Sequence, residues 1–123
     1  MIKSSKTNKL RYEFNRIIKL ALNSNAIMQL NSSEFKNFFN KKSKYKVCKI
    51  SYDNDTSFKE VKLIINKKIK GKTKILAVMG GNKKTTLDHL NSIWTTMLKN
   101  TENICWAYYL SNRKDNSLYL LTY

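Results

Sequence analysis

Apolar residues recur along this chain with two periods, and the switches between them mark out its elements. Leu10, Phe14, Ile17, Ile18 and Ala21 repeat every three or four residues, which predicts a helix over Lys9–Leu22 that stops at Asn23, Ser24 and Asn25. After a short apolar link, Ala26 to Leu30, Asn31 can cap a second helix. Glu34, three residues on, reaches back as in a capping box, and Phe35, Phe38 and Phe39 form the buried side. Near-alternation of Tyr45, Val47, Ile50 and Tyr52 predicts a strand over Lys44–Tyr52, followed by turn chemistry in Asp53, Asn54 and Asp55. Ser57 and Glu60 make a second capping box. Phe58, Val61, Ile65 and Ile69 then keep helical spacing up to Gly71, where a C-terminal glycine belongs.

Lys74–Met79 is a continuous apolar run bounded by Gly80 and Gly81, the pattern of a buried strand. Thr85 or Thr86 caps a further helix, whose Leu87, Leu90, Trp94, Met97 and Leu98 predict one buried stripe with Trp94 against the sheet. Ile104–Leu110 is apolar on both faces and reads as a central strand. Ser111–Asn116 reads as a polar turn and Ser117–Tyr123 as a last strand, paired antiparallel with its predecessor in a hairpin. The two strand–helix–strand units imply at least two parallel pairings with right-handed crossovers, Lys74–Met79 lying beside Ile104–Leu110. The expected fold class is α/β: a two-layer sandwich with an about four-stranded mixed sheet, helices packed on at least one face, and an N-terminal helix in front. Residues 1–25 would hold that helix and residues 26–123 a single α/β domain packed with it.

Composition narrows the function. The 123 residues suffice for one core. No apolar run approaches the roughly 20 residues that cross a bilayer. Residues 1–10 are polar and lack the apolar middle of a secretory signal. Cys48 and Cys105, with His89 as the one histidine, are too few for a structural zinc site or a disulfide scaffold, so no metal and a cytoplasmic setting are expected. Both cysteines read as small buried strand residues, and Trp94 and Trp106 as core. Gly71, Gly80 and Gly81 are the only glycines, and neither GxxxxGK[ST] nor GxGxxG occurs. A nucleotide-binding enzyme acting alone is therefore disfavoured, and no cofactor is expected. Asp88 and His89 are neighbours on a helix and point about 100° apart, so they do not form an acid–base pair.

The segments KILAVMGG, TTLDHLNSIWTTMLKN, ICWAYYLS, NRKDN and SLYLLTY follow one another in the order and lengths of the end of a known domain. A strand ends in small residues, then come an amphipathic helix, a buried strand, a polar turn and a last strand. Gln29-Leu30-Asn31-Ser32-Ser33-Glu34-Phe35 lies where that domain has an acidic loop opening a helix, with Leu10–Leu22 as the end of the helix before it. In these respects the chain resembles the C-terminal (activation) domain of the tubulin/FtsZ family. It departs in three ways: the GTP-binding half has no room in these residues, the first acid of the loop is Asn31, and the domain is unusually basic.

The resemblance implies a non-enzymatic interaction protein that docks on an FtsZ- or tubulin-like GTPase subunit and caps, inhibits or completes its polymer. Gln29, Leu30, Asn31, Ser32, Ser33, Glu34 and Lys36 would meet the partner, and Glu34 would orient the attacking water in trans. On the residues alone, Glu34 is equally a capping-box glutamate. The charge keeps an alternative open. Lys and Arg number 24 against 8 Asp and Glu, a net +16, and residues 1–74 carry 19 of these cations against 5 acids. Lys41, Lys42, Lys44 and Lys46, with Tyr45 and Tyr52 beside them, suit a small basic nucleic-acid-binding protein of a phage, plasmid or other mobile element as well as a solvated surface.

Overall fold

A computed structural model describes residues 3–5, 16, 19, 46–101 and 104–122. The strands are β1 (Lys3–Ser5), β2 (Lys46–Tyr52), β3 (Ile75–Gly81), β4 (Ile104–Leu110) and β5 (Asn116–Thr122), and the helices are α1 (Phe58–Ile69) and α2 (Leu87–Leu98). Arg16 and Lys19 are helical and exposed. The helix expected from Asn31 lies outside the described residues. β1 is a short polar strand that no apolar pattern announces; it pairs antiparallel with β2 at one edge of the sheet. Among the described residues no helix is long and apolar enough to cross a membrane.

The sheet order is β1-β2-β5-β3-β4. β5 lies antiparallel between β2 and β3, from Asn116 opposite Tyr52 to Thr122 opposite Lys46. β3 and β4 pair in parallel, Ile75 with Ile104 through Gly81 with Leu110, and α2 makes the expected crossover between them. Two sequence expectations are corrected here. The last two strands form no hairpin, because β5 passes over β3 to reach β2. One parallel pairing forms instead of two, because β5 occupies the place between β2 and β3. The result is an α/β layer of mixed sheet with a split β-α-β unit. Ile104–Leu110 is also an edge strand and not a central one. Its residues are mostly half-buried and Leu110 is 52 % exposed, whereas every residue of β3 and β5 is buried.

α1 and α2 pack on one face of the sheet. Val61, Ile65 and Ile69 from α1 and Leu90, Ile93 and Met97 from α2 meet Ile50 and Tyr52 of β2, Ile75, Ala77 and Met79 of β3, and Leu118 and Leu120 of β5. Ser57 caps α1, its hydroxyl accepting from the Glu60 N–H, as the capping box requires. The Lys72 N–H to Ile69 C=O bond of 3.0 Å, with Lys70 at φ −56°, ψ 127° and Gly71 at φ 75°, closes the helix in a type II turn, which is why glycine stands there. The α2 stripe is rotated from its expected place. Ile93 is fully buried, Leu87 is 74 % exposed, and Trp94 is only half-buried, packing at 6.4 Å between ring centroids on Trp106 of the edge strand. The cause is the edge position of β4: among the described residues no further strand lies beyond it to cover the Trp94 ring.

The opposite sheet face is also buried at Val47, Leu76, Val78, Ala107, Tyr119 and Leu121. Tyr119 there carries the ammonium of its register partner Lys49 over its ring, 5.3 Å from the centroid. Gly80 and Gly81, expected to bound the strand, are the last two residues of β3. A Cβ on Gly80 would stand 2.6 Å from the Tyr109 hydroxyl, and one on Gly81 would collide with the Tyr108 ring on the other face. The glycines thus let two tyrosines of β4 lie flat across β3. The stripe assignment has a direct check by denaturant unfolding: Ile93→Ala should cost about 2–5 kcal/mol, and Leu87→Ala should stay within about 0.5 kcal/mol of the parent.

Candidate functional site

The residues singled out from sequence mostly lie outside the described part of the chain: Gln29, Leu30, Asn31, Ser32, Ser33, Glu34, Lys36, Lys41, Lys42 and Lys44. Lys46 is exposed at the first position of β2. Tyr52 is 1 % exposed in the core, so it offers no ring to a base. Cys48 is buried on the helix face, and Cys105 is half-buried in β4.

The described residues build a different constellation at one end of the sheet. β2, β3 and β4 all run toward this end, so the loops that follow them, residues 53–57, 82–86 and 111–115, come together there, and β5 starts among them. Three asparagines, one from each of the first two loops and one from the start of β5, lock this end. Asn54 Oδ1 accepts from Asn82 Nδ2 at 2.7 Å and from Asn116 Nδ2 at 3.0 Å. Asn116 Oδ1 accepts from the Asn82 N–H at 3.2 Å and from the Thr85 hydroxyl at 2.5 Å. Asn82 Nδ2 also donates to the Lys114 carbonyl at 2.7 Å, and its Oδ1 accepts from the Lys84 N–H at 2.9 Å. The Ser111 N–H donates to the Gly81 carbonyl at 2.7 Å. Asn116 is 1 % exposed, and its amide is satisfied on both sides.

Above this floor opens a cleft of about 540 Å³, lined by Asp53, Asn54, Asp55, Asn82 and the cations Lys83, Lys84, Arg113 and Lys114, with Ser111 and Asn112. All four cationic residues are exposed. Asp53 sits in an Asx turn, its Oδ1 accepting from the Thr56 hydroxyl at 3.0 Å, the Thr56 N–H at 2.9 Å and the Asp55 N–H at 3.1 Å. These bonds, that from the Thr56 side chain first, hold its carboxyl below the usual range. A smaller cavity of about 180 Å³ shares Asp53, Asn54 and Lys84 and runs in to Tyr52 and His89. His89 Nε2 is hydrogen-bonded to the Tyr52 hydroxyl, and the edge of Phe58 meets the imidazole at 5.6 Å. This cluster joins β2, α1 and α2 under the loops. Burial lowers the His89 pKa and pushes the Tyr52 hydroxyl well above the usual tyrosine range, with Tyr108 adding to the latter. His89 therefore pairs with Tyr52 across the core and not with its neighbour Asp88.

Sequence reasoning missed this end of the sheet. The available signal was that Asp53–Asp55, Asn82–Lys84 and Asn112–Lys114 each follow a strand of one direction, which places them together. Two outcomes follow from the geometry. Asn116→Ala strands the Asn82 N–H, leaves the Thr85 hydroxyl only Asn82 Oδ1 at 3.3 Å, and should cost about 1–3 kcal/mol in unfolding. The folded chain holds His89 neutral to a lower pH than the unfolded chain, which takes up its proton near pH 6.5. Stability should therefore be full above that pH and fall as pH drops below it, and His89→Gln should flatten that slope in urea titrations.

Neither a family model nor a curated protein matches the sequence. Solved structures do match its fold. The chain superimposes on an FtsZ dimer structure from M. jannaschii with a TM-score of 0.71 and 13 % identity, covering 94 % of this chain and 39 % of that one. The FtsZ W319Y mutant from M. jannaschii gives 0.68 and 12 %, covering 96 % and 41 %. CetZ from Methanosaeta thermophila gives 0.60 and 11 %, covering 93 % and 35 %. The chain spans about 40 % of the length of the FtsZ chains it matches. Its fold is that of the C-terminal domain of these tubulin-family proteins.

Proposed function

We propose that the chain is a non-enzymatic interaction protein that docks on an FtsZ- or tubulin-like GTPase subunit and modulates its polymer. One observation carries this reading: almost the whole chain superimposes on FtsZ, while over half of the FtsZ chain has no counterpart in these residues. A unit of this shape fits the place of one domain in a filament and would cap it, inhibit it or complete a separate GTPase part. The docking loop is Gln29–Glu34 with Lys36, and Glu34 acts in trans on the water that attacks the partner's nucleotide. Net positive charge adds longer-range attraction to an acidic or nucleotide-bearing filament end, felt over about 8–10 Å at physiological salt.

The test combines sedimentation of FtsZ polymers with phosphate release. Purified protein should change polymer mass at less than stoichiometric amounts. Leu30→Asp should abolish binding, while Glu34→Ala should alter GTP turnover more than binding. Unchanged polymer and turnover, together with steeply salt-dependent DNA binding lost on replacing Lys41, Lys42, Lys44 and Lys46, would replace this reading with the nucleic-acid one.

A further inference from the structure

We propose that the cleft at the carboxyl ends of β2, β3 and β4 is a binding site for the phosphate groups of a small oligophosphate ligand. Four observations carry it. Three loops, those that follow β2, β3 and β4, converge at the carboxyl ends of these strands and line one opening. The volume of about 540 Å³ lies in the range of small-molecule sites. Lys83 and Lys84 stand on the loop after β3, and Arg113 and Lys114 on the loop after β4, so two pairs of exposed cations border one opening.

The fourth observation is rigidity. The bond from Asn82 Nδ2 to the Lys114 carbonyl ties the two cation-bearing loops directly to each other. Asn54 and Asn116 hold Asn82 in place, and the bond from the Ser111 N–H to the Gly81 carbonyl holds the loop after β4 to β3. The cations are thus mounted on a fixed frame before any ligand arrives, which removes much of the ordering cost of binding. Arg113 supplies a planar fork for phosphate oxygens, and the lysines act as point charges around it.

Asp53 and Asp55 also line the cleft, and they shape what it accepts. Their charges leave the lining with four cations against two carboxylates. A single weak anion gains little from that balance. A ligand with several linked phosphates engages both cation pairs at once, and the carboxylates at the β2 side keep its charged end on the β3 and β4 side. Asp53 Oδ1 already accepts from the Thr56 hydroxyl and two backbone N–H groups, and an ionised carboxylate has no donor to offer a phosphate.

The experiment is isothermal titration of the full chain with tripolyphosphate and with ATP at low salt. Both probes should bind. Lys83→Ala/Lys84→Ala and Arg113→Ala/Lys114→Ala should each weaken binding about tenfold or more. Lys67→Ala/Lys68→Ala, in the last turn of α1 at the other end of the sheet, should leave it unchanged. Circular dichroism melts confirm that each variant is folded. ATP binding more tightly than tripolyphosphate identifies a nucleotide as the natural source, and equal binding identifies an inorganic oligophosphate. Failure of tripolyphosphate to bind overturns the proposal, as does equal weakening by the Lys67/Lys68 control, which would mean diffuse attraction to the net charge. Neither result bears on FtsZ polymer binding, which is read separately.

Discussion

β5 is hydrogen-bonded on both sides along its length, to β2 and to β3, and each of its seven residues is buried. Everything else in the described fold hangs on that insertion. It joins β2 to β3, which are not paired with each other, and so lets α1 and α2 lie side by side on one face over a continuous floor of Ile50, Leu118, Leu120, Ala77 and Met79. Each large apolar side chain buried this way contributes about 1.5–3 kcal/mol. The same insertion brings Asn116, the first residue of β5, between Asn54 and Asn82, so the bond network at the end of the sheet follows from the strand order.

Two consequences of that order run in opposite directions. At the centre, β3 and β5 are sealed, and β3 tolerates two tyrosines across its glycines because no side chain competes for that space. At the edge, β4 keeps a half-exposed face, and Trp94 and Trp106 cover each other where the sheet stops. The loop end is polar but ordered, because its asparagines are mutually satisfied and because the Tyr52–His89 pair anchors both helix starts beneath it. A rigid frame carrying exposed cations is a suitable surface for an anion, whatever larger partner the domain serves.

α1 is legible along the chain, because its Ser57 cap, its Val61, Ile65 and Ile69 stripe and its Gly71 turn are each set by residues three or four positions apart. β2, β3 and the helix between β3 and β4 are legible for the same reason, and the parallel direction of β3 and β4 follows because a helix between two strands returns the chain to the same end of the sheet; which strands become neighbours does not follow, since β2, α1 and β3 form the same kind of unit with β5 between the strands. The α2 stripe is ambiguous in the sequence, since Leu87 and Leu98 fit helical spacing as well as Ile93 does, and only the boundary of the sheet separates them. The strand β1 carries no apolar signal at all. Of the site, the turn residues were visible but generic: Asn54 and Asn82 are 28 positions apart and Asn82 and Asn116 are 34, and nothing local links them.

The sequence by itself therefore determined the kind and approximate bounds of the described elements after residue 45, because periodicity and capping bonds act over three or four residues. It also determined the strong positive charge. Only the tertiary structure decided which apolar strand is central and which is edge. ICWAYYL and NSLYLLT are both apolar enough for either place, and strand pairing depends on neighbours distant in the chain. It likewise decided that three ordinary turns become one cleft, because that requires three strands to end at the same side of one sheet.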